Sequence, residues 1–195
     1  MPRKKREESP TGVYHWIVRG MNRRKLFHGK QDHKQFLDYL REHKTQYEIL
    51  MFHYCMMSNH VHALVKSPTL KNLSRFSHYV QRRYAYYYCK EYKHTGSVFQ
   101  RGYRSFSIDK DDYLLECGRY IERNPVRAGI VDRPEDFLHT SYRYYTLREK
   151  NDLLTSSPAY LGLSLHQEQR EHLYAEYVCQ NRTQEEMMGK GLLRD

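Results

Sequence analysis

Residues 58–62 read SNHVH, two histidines either side of one valine, directly after a Ser-Asn turn signal and inside the apolar stretch YEILMFHYCMMSNHVHALVKSP. Imidazoles at i and i+2 of a strand project from one face, so His60 and His62 can share a divalent cation while Val61, Ala63 and Val65 face the other way. The chain holds 12 His; at that frequency chance alone gives roughly 0.7 H-x-H triplets, so the triplet carries weight only in company. A second chemical set lies in DDYLLECGRYIERNP, where Glu116, Tyr120 and Asn124 fall at successive i, i+4 positions beside an apolar stripe of Leu114, Cys117 and Ile121. A tyrosine, a neighbouring amide and a two-histidine cation site suit phosphoryl chemistry, in which the cation polarises a phosphate and the phenolate attacks it. Spacing alone does not select Tyr120, because the chain contains 19 tyrosines.

These residues must be mounted on elements, and the hydrophobic pattern predicts which. VYHWIVRG reads as a strand closed by Gly20, and DHKQFLDYLREHKTQY as a helix with Phe36, Leu37 and Leu40 at helical spacing and Asp32 as its cap. EILMFHYCMM and HVHALVK are two strands joined by a tight Ser58-Asn59 turn. A long helix follows, LKNLSRFSHYVQRRYAYYYCKEYKHTG, ending at Gly96; VFQRGYRSFSI is a strand pair or extended arm, and DDYLLECGRYIERNP a helix stopped by Pro125. Strand, helix, hairpin, helix, strand, helix is the signature of the ferredoxin-like α+β class, an antiparallel sheet with helices stacked on one face.

The long helix carries two stripes. Leu73, Phe76, Val80, Tyr84 and Tyr87 form a core face, whereas Arg75, Arg82, Tyr86, Lys90 and Lys93 recur along another. The second is either a solvated charged face or a track along which single-stranded nucleic acid runs, its bases stacking on Tyr86. Arg101 and Arg104, or the N-terminal arm, offer a different path.

Composition favours a polyanionic partner. The 195 residues, 39% of them hydrophobic, suffice for one globular domain, and a net charge of +10 points towards nucleic acid or an anionic surface. No run approaches the roughly 18 apolar residues of a membrane span, and MPRKKREESPTG lacks the apolar region of a secretory signal, so a cytoplasmic protein without membrane partners is expected. Cys55, Cys89, Cys117 and Cys179 are scattered, which suggests neither a zinc ribbon nor a disulfide framework. Residues 1–10 read as a flexible basic arm, 11–150 as the domain bearing the chemistry, and 151–195 as a polar, C-terminal helical extension.

Three segments in this order and spacing, YCMMSNHVHALV, VFQRGYRSFSID and YLLECGRYIERNPVRAGIV, resemble the HUH single-strand DNA transposases with one catalytic tyrosine, and most closely the REP-associated tyrosine transposases. IVRGMNRRKLF and FLHTSYRYY extend the resemblance over about residues 11–146. The resemblance implies that His60 and His62 bind Mg²⁺ or Mn²⁺, that Asn124 presents a third ligand, and that Tyr120 is the nucleophile. It also implies that Asn59 shapes the turn and that the substrate is single-stranded or hairpin DNA, nicked and rejoined through a 5′-phosphotyrosine. His139 and Thr140 stand where the family often has Trp-Ser. Two other readings stay open at this point: a structure-specific DNA-binding protein without catalysis, and a small metallohydrolase that uses His60 and His62 without Tyr120. Monomer and homodimer are both compatible with the sequence, as is action of Tyr120 in cis or in trans.

Overall fold

Six consecutive buried residues, Val13 to Val18, make β1 (Val13–Arg19) a central strand covered on both faces. The structure, a computed structural model, describes residues 6–100, 102–109 and 112–180. In it β1 pairs antiparallel with β3 (His60–Lys66) and β4 (Arg104–Ile108), and β2 (Leu50–Met57) pairs with β3, giving the order β2-β3-β1-β4. With α1 (Lys30–Gln46) between β1 and β2, and α2 (Leu70–Glu91) between β3 and β4, this is the expected ferredoxin-like α+β arrangement. None of the described helices is long and apolar enough to cross a membrane.

The expectation that all helices share one face is corrected. Tyr14, Trp16, Val18, Val61, Ala63 and Val65 pack under Phe36, Leu40, Leu73, Phe76, Val80 and Tyr84 of α1 and α2. The opposite face, through Val13, Cys55, Leu64 and Ile108, packs against Leu114, Cys117, Tyr120 and Ile121 of α3 (Asp112–Arg127). The reason lies in β1 and β3, which are apolar on both sides, so a single helical layer would leave half of that surface in water.

Three expected element ends also move. Asp32 is not the cap of α1 but sits one turn inside it, where its carboxylate accepts the backbone N–H groups of His28 and Gly29 at 2.6 and 2.9 Å. The same carboxylate accepts the hydroxyls of Tyr87 and Tyr92 at 2.8 Å, tying α1 to α2. Burial pushes the Asp32 carboxyl up, but the bonds from Tyr92, His28, Tyr87 and Gly29 outweigh it and hold it below the usual carboxylate range. At its other end α2 stops at Glu91, and Lys93 adopts a left-handed conformation (φ 48°), so Lys93 leaves the helical stripe. Pro125 does not stop α3, which runs on to Arg127. The Ile121 carbonyl, which a proline cannot serve, instead accepts the Asn124 side-chain amide at 3.3 Å.

Behind α3 lie α4 (Tyr142–Thr146), α5 (Pro158–Leu161) and α6 (Gln167–Cys179). Tyr142, Tyr145, Tyr160, Tyr174 and Val178 form their shared core. The C-terminal carbonyls of α6 are taken up by α3: Arg119 donates to Tyr177 O and Gln180 O, and Arg123 to Val178 O at 2.8 Å, so two cations sit at the negative end of that helix. Residues 181–195 of the expected extension and 1–5 of the expected arm fall outside the described residues. Arg6 donates to Tyr103 O and lies 3.8 Å over the Tyr103 ring, and Ser9 and Thr11 donate to Ile108 O, so this part of the arm is bound to β4 and its approach.

A bulge in β2 between Met51 and His53 turns both Phe52 and His53 towards α3. His53 then meets Gly118 so closely that a Cβ there would lie 2.8 Å from the imidazole Nε2. Its Nδ1 is 2.9 Å from Glu122 Oε1, which also accepts the Ser141 hydroxyl at 2.6 Å, while Tyr174 donates to Glu122 Oε2 at 2.8 Å. The carboxylate is fully buried and satisfied from three elements. Glu122→Ala, which strands those donors, is expected to cost about 3–5 kcal/mol in urea unfolding, against about 1.5–3 kcal/mol for Tyr174→Phe. A cost below about 1 kcal/mol for both variants would show that the network does not hold α3 in place.

Candidate active site

The two-residue turn at Ser58-Asn59 is fastened before it positions anything. The backbone carbonyl of Ser58 accepts Leu26 N–H at 2.7 Å, that of Asn59 accepts Gly20 N–H at 2.9 Å, and the Asn59 amide donates to Arg23 O at 3.3 Å. Asn59 Oδ1, which can only accept, lies 2.6 Å from His60 Nδ1, so His60 donates from Nδ1 and, as a neutral ring, keeps its lone pair on Nε2.

Antiparallel pairing sets what surrounds the histidines. His60 faces Arg19 and Met57 across the sheet, and His62 faces Ile17 and Cys55, all on the side covered by α3. The rings of His60 and His62 are 4.8 Å apart, edge to face. His62 is 1% exposed, and its Nδ1 lies 2.9 Å from Nε2 of His15, whose ring stacks on it at 5.1 Å. Burial, then His15, His60 and the charges of Arg19 and Arg127, push His62 well below the usual imidazole range, so it stays neutral.

Tyr120 descends from α3 into this cluster. Its ring meets His62 edge-on at 5.9 Å and His15 at 5.8 Å, and the Arg127 guanidinium lies 4.8 Å from the ring centroid. Asn124, one turn further on, donates its amide to Tyr120 O at 2.9 Å and to Ile121 O, which leaves its Oδ1 as the atom it can offer a cation. The donor set suits a hard or borderline cation. His62 Nε2 is buried with no hydrogen-bond partner among the described residues, and two imidazoles with one amide oxygen leave coordination positions for phosphate oxygens. No group of three His, Cys, Asp or Glu side chains that could hold a metal occurs among the described residues.

The residues expected on a DNA path separate. Arg75, Arg82, Tyr86 and Lys90 are exposed on α2, in the layer across the sheet from Tyr120, with Tyr86 at 74% exposure. Lys93 lies beyond the helix, and Arg101 falls outside the described residues. Arg104 pairs with Ile17 and so projects on the histidine side, where it covers Phe106 at 5.3 Å. Three residues of the site escaped the sequence reading: His15, Arg19 and Arg127. Arg127 stands seven residues after Tyr120, a helical spacing that signals it; His15 and Arg19 join only through strand pairing.

A search of curated proteins finds no match. Among solved structures, the REP-associated tyrosine transposase bound to a REP hairpin is 17% identical, with a TM-score of 0.65 over 82% of this chain and 93% of that one, a likeness of fold. A candidate transposase from Deinococcus radiodurans R1 is 20% identical, over 63% of this chain and 97% of that one, with a TM-score of 0.43. The sequence model of the IS200-like transposases matches residues 9–124, a span that takes in His15, Arg19, His60, His62, Tyr120 and Asn124, and the chain belongs to that family.

Proposed function

We propose that this transposase nicks and rejoins single-stranded hairpin DNA through a covalent 5′-phosphotyrosine on Tyr120, with Mg²⁺ or Mn²⁺ held by His60, His62 and Asn124. The observation that carries the reading is the convergence of two strand histidines and one helix tyrosine, from separate elements, within ring-contact distance on one face of the sheet. Residues 11–150 form the catalytic domain of this reading, and the extension, where it is described as far as Gln180, buttresses α3.

Tyr120 Oη attacks the phosphorus, the new O–P bond replaces the P–O3′ bond, the phenol loses its proton, and the departing O3′ gains one to become a free hydroxyl. A bound cation supplies polarisation of the scissile phosphate. His60 and His62 remain neutral lone-pair donors throughout, and Arg127 keeps positive charge beside the phenol and the phosphate oxygens it approaches. The phosphotyrosine conserves the energy of the broken linkage, so attack by the 3′-OH reverses the step without a nucleotide cofactor. DNA is held by Arg19 and Arg104 near the site, and by Arg75, Arg82, Tyr86 and Lys90 on the outer face of α2, which a hairpin must reach around the edge of the sheet.

Labelled single-stranded hairpin DNA incubated with the protein and Mg²⁺ is expected to give a covalent adduct on a denaturing gel. Tyr120→Phe should abolish the adduct while the fold and hairpin binding survive; hairpin binding with no adduct in the unmodified protein would instead indicate a DNA-binding role alone.

Removing the cation gives a second test. EDTA, His60→Ala and His62→Ala should each stop cleavage, with hairpin binding retained because it rests on Lys and Arg contacts to phosphate. Cleavage that continues unchanged in EDTA overturns the cation assignment.

The α2 stripe is tested by salt. Neutralising Arg82 and Lys90 together should weaken hairpin binding and make the slope of log K against log salt shallower by about 1 to 2, at roughly 0.7 per single-strand contact. An unchanged affinity and slope would remove α2 from the DNA path.

A further inference from the structure

Two ring nitrogens 2.9 Å apart, His15 Nε2 and His62 Nδ1, can be joined by a hydrogen bond only if one carries a proton and the other does not. If His15 donates, neutral His62 must place its own proton on Nε2, which is buried and has no hydrogen-bond partner among the described residues. If His62 donates instead, its Nε2 carries the lone pair and the proton of a neutral His15 moves to its buried Nδ1, so burial by itself does not choose between the two. The cation reading does choose, because His62 can offer Nε2 to a metal only when Nδ1 holds its proton and His15 Nε2 accepts it. His60 shows the same arrangement on the other side of the pair, with Asn59 Oδ1 accepting from its Nδ1.

We infer that His15 is a positioning residue that accepts the Nδ1 proton of His62 and so fixes Nε2 of His62 as the nitrogen turned towards a divalent cation. The inference rests on the reading of His60 and His62 as cation ligands given above. His15 can serve because it is itself immobile: it is 1% exposed on the central strand, stacked on His62, tilted against Phe106 at 6.1 Å and edge-on to Tyr120 at 5.8 Å. One ring therefore sets the orientation of a ligand while lying against the nucleophile. Such partners behind a metal-bound histidine restrict its rotation and select its tautomer.

The test has one arm without metal and one with it. In the metal-free full-length protein labelled with ¹⁵N-histidine, long-range ¹H–¹⁵N spectra, with His62 assigned by loss of its signals in His62→Ala, should show His62 protonated at Nδ1 and unprotonated at Nε2. A proton on Nε2 of His62 overturns the proposal whatever the activity. In Mn²⁺ titrations of the same chain, His15→Phe should bind about 10–100-fold more weakly than the unmodified protein, and His15→Gln, whose side-chain carbonyl can accept the same proton, should recover most of that loss. Unmodified affinity in a folded His15→Phe overturns the positioning role while leaving the ligands in place. Should His15→Phe not fold, the tautomer spectra and the Gln variant decide. If the unmodified chain shows no Mn²⁺ binding that His62→Ala removes, the cation reading itself falls and takes the role of His15 with it.

Discussion

The position of the reactive face depends on a carboxylate that faces away from it. Glu122 lies two residues after Tyr120, so it projects from nearly the opposite side of α3, into the seam between β2, the Ser141 segment and α6. A buried carboxylate can be accommodated there only where its donors are, at His53, Ser141 and Tyr174, and α3 cannot rotate about its axis without breaking those bonds. Fixing Glu122 thus fixes the angle at which Tyr120 meets the histidines. Gly118 sets the depth, because any side chain there would collide with His53 and lift the helix from the sheet. Arg119 and Arg123 add a second clamp by holding the end of α6 against the same helix.

The two faces of the sheet divide the work. On the α1 and α2 side the core is conventional, with Trp16, Phe36, Phe76 and Tyr84 fully buried and Trp16 Nε1 donating to Ser77 Oγ at 2.9 Å. On the α3 side the apolar packing of Val13, Leu64, Ile108 and Leu114 gives way, towards the Ser58-Asn59 turn, to His15, His62, His60 and Arg19. The transition is possible because β1 and β3 run antiparallel, so the end of one strand and the beginning of the other bring their polar residues together at one edge of a dry layer. The site is therefore built on rigid strands and backed by core, which favours a preorganised geometry.

What was legible in the sequence was local. Alternation in HVHALVK placed His60 and His62 on one face, and the two-residue turn before them followed from Ser-Asn between apolar runs. Helical spacing placed Tyr120 and Asn124 together. What stayed hidden depends on pairing between distant segments. His15 looks like one more residue of an apolar strand until β1 registers against β3, and Glu122 looks like a surface charge until a bulge turns His53 and the C-terminal helix brings Tyr174. The bulge has no Gly or Pro to announce it. Pro125 misled for a related reason: the rule that it ends a helix assumes that the freed carbonyl goes unserved, and here the Asn124 amide serves it. The one-face layering failed because β1 is buried from Val13 to Val18 and is covered on both sides.

Charge completes the physical picture. A cation site built from several carboxylates would repel the phosphodiester that this reading brings to it, whereas the Asn124 amide is neutral, burial keeps His62 neutral, and the charges of Arg19 and Arg127 acting on His62 are positive. The net charge of +10 thus has a local counterpart at the tyrosine, where an anion is favoured before any metal contributes. Burial keeps His62 from joining that positive field as imidazolium, which would abolish its lone pair. The same burial that makes His62 expensive to protonate keeps a lone pair on it for the cation proposed above, and it is the packing of α3, anchored at Glu122, that maintains the burial.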